Sequence, residues 1–98
     1  MNPISAEALA AARAQLDAAE EKRENILLAH IANGVKIEDR TVRIDESVTI
    51  APGAAILAGT ILRGNTVIGP GCVIGPNSLI EDSIIDEGTT VNASQVYG

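Results

Sequence analysis

Phenylalanine and tryptophan are absent from the 98 residues, and Tyr97 is the only aromatic. This excludes an aromatic core and the stacking platforms that a base-reading protein uses. The single cysteine, Cys72, excludes an internal disulfide and fits a reducing compartment. The single histidine, His30, excludes a three-histidine zinc site within one chain. Seven basic residues face thirteen acidic ones, a net charge of −6, which argues against binding a phosphate backbone. No apolar run approaches the roughly 18 residues of a membrane span, so no membrane partner is expected. The start, MNPISAEALAAARAQL, lacks the basic and continuous apolar regions of a signal peptide, and the cytoplasm is the expected location. The sequon Asn92-Ala93-Ser94 therefore carries no expectation of glycosylation.

What remains is aliphatic: 46 % of the chain is hydrophobic, mostly Ile, Val, Leu and Ala. Two unlike regions divide it, 1–34 and 35–98. All nine glycines lie at or beyond Gly34, and Pro3 is the only proline before it. The first region is built from good helix formers. Ser5 suits an N-cap and Gly34 the residue just past a helix end, which predicts a helix over Ala6 to Ala32, roughly 40 Å long. Leu9 and Leu16 stand seven apart with Ala12 and Ala19 beside them, a thin apolar seam. The run Glu20 to Glu24 reads as a solvated face. The stretch Ile26 to Ile31 is apolar enough to dock, and its docking surface is expected to be the second region, since such a helix is not stable by propensity alone.

In the second region the repeat dominates. Large aliphatics recur every six residues at Ile44, Ile50, Ile56, Leu62, Ile68, Ile74 and Ile80. Four positions after each of the first six comes a mostly small residue: Val48, Ala54, Thr60, Thr66, Cys72, Ser78. Turn pairs fall between, such as Pro52-Gly53, Gly64-Asn65, Pro70-Gly71 and Pro76-Asn77. The register then slips, with Ile85 five residues after Ile80 and Val91 six later. A period of six is neither helical nor that of a simple strand. It suits short extended segments closed by tight turns, three to a triangular coil of about 18 residues, with the aliphatic inside and the small residue near the corner. The fold class is thus mainly β, a parallel hexapeptide-repeat β-helix of roughly three and a half coils preceded by one long α-helix. Ordering one six-residue rung costs more backbone entropy than burying one Ile recovers, so rungs must stack. The coil is expected to end at Gly98 with an open parallel edge. Oligomerisation is expected to help, through the outward apolar residues Leu57, Ile61, Val67, Val73 and Leu79.

Candidate sites are few. The segment Gly69-Pro70-Gly71-Cys72-Val73-Ile74-Gly75 has the wrong spacing for a nucleotide loop, and coil turns account for its glycines. Cys72 occupies a small inward position, so a buried, inert thiol is expected. His30 is expected to act through the helix C-terminal dipole. Asp45-Glu46, Glu81-Asp82 and Asp86-Glu87 fall at turns and are expected to be solvated. Ice binding would need threonine in register from coil to coil; Thr49 instead meets Val67 and, by the spacing, Ile85, while Thr60 and Thr66 point inward.

The helix carrying Arg13-Ala14-Gln15-Leu16, followed by His30-Ile31-Ala32-Asn33-Gly34-Val35, Ile44-Asp45 and the hexads, resembles the middle of the bifunctional N-acetylglucosamine-1-phosphate uridyltransferase/glucosamine-1-phosphate N-acetyltransferase family. The resemblance covers roughly residues 11 to 98. It implies a left-handed β-helix, a trimeric assembly, and a helix that links a uridyltransferase domain to the acetyltransferase coils. For a parent enzyme it implies acetyl-CoA and magnesium. The family's Gly-rich nucleotide-binding start, its Arg-Pro-Gly region, and the Lys, His, Tyr and Asn residues that bind sugar phosphate and transfer acetyl have no counterpart in this sequence. Asp39-Arg40-Thr41 lacks a proline common in relatives, and residues 1 to 10 look like a replacement start. No catalytic, cofactor-binding or metal-ligating residue is therefore assigned, and no cofactor is expected in this chain. The expectation is the linker arm and first coils of such an enzyme, inactive alone and homo-oligomeric, with a trimer favoured. Two alternatives stand beside it: a self-standing trimeric assembly module, and a truncated acyltransferase of another hexapeptide subfamily.

Overall fold

A computed structural model describes residues 3–98. It begins with one helix, α1 (Ala6–Ala32), and continues as eleven strands of two or three residues. Ser5 caps the helix start, its Oγ accepting from Ala8 N–H at 3.1 Å. At the other end Gly34 takes φ +90°. Its N–H donates to Ile31 O at 3.0 Å and Val35 N–H donates to His30 O at 3.0 Å, a Schellman termination. Only a residue comfortable at positive φ closes the helix there, and the chain leaves directly into the first strand.

The strands are β1 (Lys36–Ile37), β2 (Arg43–Ile44), β3 (Thr49–Ile50), β4 (Ala55–Ile56), β5 (Ile61–Arg63), β6 (Val67–Ile68), β7 (Val73–Ile74), β8 (Leu79–Glu81), β9 (Ile84–Ile85), β10 (Thr90–Val91) and β11 (Gln95–Tyr97). They form three parallel sheets, β1-β4-β7-β10, β2-β5-β8-β11 and β3-β6-β9. Each strand pairs with the third strand along, which is the signature of a three-sided coil. The chain is a parallel β-solenoid of about three turns with one N-terminal helix, consistent with a left-handed β-helix.

The inward positions are those the repeat names. Ile56, Leu62, Ile68, Ile74 and Ile80 are fully buried, and Ile44 and Ile50 nearly so. The corner residues Ala54, Thr60, Thr66, Cys72 and Ser78 are buried as well. Rungs are tied by main-chain bonds, such as Ala51 N–H to Ile68 O at 2.9 Å and Gly69 N–H to Ile85 O at 2.8 Å.

The coils shorten along the chain. Ile37 pairs with Ile56, nineteen residues on, and Ile44 with Leu62, eighteen on. Ile68 pairs with Ile85 after seventeen, and Ile80 with Val96 after sixteen. The slip before Ile85 is thus present, and a second one before Val96 follows it. Asp82 and Ala93 take positive φ, 48° and 45°, at these two corners and turn the chain with one residue fewer. The slip also corrects the partner of Thr49 and Val67 on the third sheet: it is Ile84, not Ile85, because the outward position moves with the register.

The helix docks by its C-terminal half. It packs on β1 and β2, the first strands of two sheets, and Leu27 joins the buried core with Ile26 packed against it. Leu28 and Ile31, from the same apolar stretch, remain about half exposed. Every residue from Ser5 to Lys22 is exposed, and among the described residues no strand packs on the first half of the helix.

Candidate functional site

Where the second half of α1 crosses the first coil, a groove of about 890 Å³ opens between Leu28 and Ile31 on one side and Ile37, Arg40 and Arg43 on the other. Its walls are held by charge. Arg40 Nε donates to Glu24 Oε1 at 2.6 Å, and Arg23 donates through its guanidinium to the Arg40 carbonyl. Lys22 meets Glu46 at 2.5 Å on another corner, and the Glu46 partner raises its pKa. Asp39 accepts from the Thr41 hydroxyl and from Thr41 N–H, and these bonds hold its carboxyl below the usual carboxylate value. This Asx-type turn shapes the long first corner.

His30 lies in the last turn of α1, partly buried. Burial lowers its pKa, because desolvation disfavours the protonated imidazole. Desolvation is the cause of this lowering, and it acts opposite in sign to a helix C-terminal dipole.

Cys72 is completely buried, and its Sγ donates to Asp86 O at 2.9 Å. The thiol is a corner filler whose polar contacts are carbonyls of the next coil. Gly69 and Gly71 stand between β6 and β7, at a corner that opens no helix. A Cβ on Gly69 would come within 2.8 Å of Glu87 N, so stacking of coils explains this glycine. The phosphate-loop likeness has no geometric counterpart.

The acidic pairs do more than face solvent. Asp45 Oδ2 accepts from Gly64 N–H at 3.1 Å, and Asp82 Oδ1 accepts from Asn65 N–H at 2.9 Å. Each carboxylate reaches a main-chain donor one coil away, a role readable only once the coil lengths are known. Among the described residues no three His, Cys, Asp or Glu side chains come together as a metal site.

The outward apolar residues do not form one patch. Consecutive hexads occupy consecutive faces. Ile61 and Leu79 share the β5–β8 face and are half-buried. Val73 lies on the β4–β7 face. Val67 stands with Ile84 on the β6–β9 face, at 40 % and 74 % exposure. Ile84 is the most exposed large apolar side chain among the described residues and lies outside the six-residue pattern because it follows the slip.

Residues 47–82 match the bacterial transferase hexapeptide family (six repeats). The match runs from the residue before Val48 on the β3 rung to the corner after β8. Residues 47–82 are thus similar to hexapeptide repeats of the bacterial-transferase type, and they lie within the β-solenoid that follows the helix. No curated protein matches the chain. No helix among the described residues is long and apolar enough to cross a membrane.

Proposed function

We propose that the chain is the arm helix and opening coils of an acetyltransferase-type β-helix, with a structural role: it holds copies of itself side by side, three-fold, in the cytoplasm. The observation that carries this reading is the β6–β9 face, where Val67 and Ile84 present adjacent aliphatic side chains on a rigid, hydrogen-bonded wall. Apolar side chains in register on such a wall are a surface that a different side of a neighbouring copy can cover, and a head-to-tail contact of this kind closes into a ring of three. The enzyme it resembles makes UDP-N-acetylglucosamine for cell-wall precursors, and the helix that leads through Asn33-Gly34-Val35 into the first coil supports that parentage over other hexapeptide transferases. Acetyl transfer needs a base at the amine and groups to hold acetyl-CoA. In this reading neither acetyl-CoA nor magnesium binds this chain, and it turns over nothing alone.

Two measurements test the reading. Sedimentation of the purified chain gives a trimer mass, and Ile84→Lys lowers it; a well-folded monomer at all concentrations overturns the assembly role. An assay with acetyl-CoA and glucosamine-1-phosphate gives no product; turnover overturns the inactivity. A hexapeptide transferase of another subfamily is the second reading, favoured by the repeat match being general to bacterial transferases.

A further inference from the structure

The groove between α1 and the first coil joins an apolar lining to hydrogen-bond donors that lack acceptors. Leu28 and Ile31 keep 55 % and 48 % of their surface open there, and Ile37 on β1 stands on the opposite wall. Three carboxylates and three guanidinium groups also line it, but they are not equally engaged. Glu24 accepts from Arg40 at 2.6 Å, Asp39 accepts from Thr41, and Glu38 Oε2 accepts from Ala58 N–H at 2.9 Å. Among the described residues Arg43 pairs with no carboxylate, and the Nε of Arg23 is buried with no hydrogen-bond partner. A buried N–H without an acceptor costs free energy, so what the groove lacks is an acceptor. Its volume of about 890 Å³ lies within the range of small-molecule sites, roughly 300–1,000 Å³. It opens at the β1–β2 corner, across the three-sided coil from the β6–β9 wall.

We propose that this groove binds a medium-chain aliphatic carboxylate, its head on Arg43 and its chain along Leu28, Ile31 and Ile37. A guanidinium meets a carboxylate through two parallel bonds, a fit that a simple point charge does not offer. One negative charge suits the groove better than the near-double charge of a phosphate, because Glu38 and Asp39 stand on the same wall. An alkyl ammonium would find each carboxylate already engaged. The chain covers Leu28 and Ile31, which otherwise stand in water. These two residues span one helical turn, about 5 Å, which limits the covered chain to a medium length. Helix and first coil form the groove within one copy, so it stands whether or not the chain forms a ring of three.

Calorimetric titration of the full chain with sodium octanoate tests this, with acetate and octylammonium as the head-only and opposite-charge probes. Octanoate is expected to bind saturably, one per chain, and the other two not to bind. Arg43→Gln is expected to weaken octanoate by about tenfold, the loss of one charge-assisted contact. Leu28→Gln is expected to weaken it several-fold through lost apolar cover. Arg63→Gln is the control: Arg63 lies on β5, in the next coil of the same sheet and outside the groove, and the variant should bind within about twofold of wild type. All three side chains are exposed, and circular dichroism checks that each variant keeps the fold. No saturable heat with octanoate, equal binding of octylammonium, or an Arg43→Gln variant that binds as wild type does overturns the proposal. A loss as large in Arg63→Gln as in Arg43→Gln overturns it too, since binding would then follow overall charge and not the groove.

Discussion

The interior of the prism can be tested at Ile68. This residue is fully buried on β6, stacked between Ile50 on β3 and Ile85 on β9. Ile68→Ala removes three carbons from the axis. At about 0.8 kcal/mol per buried CH₂ the transfer term alone is roughly 2.4 kcal/mol. The walls cannot close over the void, because bonds such as Ala51 N–H to Ile68 O and Gly69 N–H to Ile85 O fix the rung spacing. A cavity term therefore adds, and the expected loss is about 3–4 kcal/mol, inside the range known for Ile to Ala in rigid cores. Native domains have roughly 5–15 kcal/mol in total, so the change is large. The reference is Val67→Ala, one residue away and pointing outward at 40 % exposure, expected to cost under about 1 kcal/mol. The assay is urea unfolding followed by far-ultraviolet circular dichroism at one fixed chain concentration, because association contributes to apparent stability. Fluorescence would report only on Tyr97 in the last coil. Equal midpoint shifts for the two variants would refute the claim that every sixth aliphatic converges on a common axis.

Gly75→Ala should also destabilise, by more than about 1 kcal/mol: φ is +104°, and the added Cβ would clash with Thr60 Oγ1 and crowd Leu57 Cβ at 3.1 Å. A wild-type urea midpoint in that variant would contradict the packing. His30 gives a pH signature. Its folded pKa lies below the ordinary 6.5, so the unfolded chain binds more protons as pH falls through that value. Stability is full above 6.5 and declines below it, towards the folded pKa; His30→Gln should flatten this slope, and an unchanged slope would place its origin elsewhere. Cys72 should resist a thiol reagent in the native chain and react fully in denaturant; rapid native labelling would mean that the corner opens.

Much of this molecule is written in one dimension. The hexad spacing, with a large aliphatic at each sixth site and a small residue two before the next, is enough to define a three-sided coil. Each rung is local, and its neighbours are a fixed number of residues away. The helix bounds are equally local, set by Ser5 and by Asn33-Gly34. Tertiary structure decided what depends on coil length and on docking. The second slip at Ala93 moved Val96 into register with Ile80, and the first moved Ile84 outward onto the wall beside Val67. Asp45 and Asp82 became corner braces only because coils of particular lengths brought Gly64 and Asn65 to them. The His30 pKa is lowered because the helix lies down on β1 and β2, a burial that a residue's position in its own helix does not announce. A repeat fixes which side chains point to the axis, since that follows from spacing alone. Which outward side chains become neighbours depends on the sum of all residues in a coil, and a single residue gained or lost at a corner rewrites it.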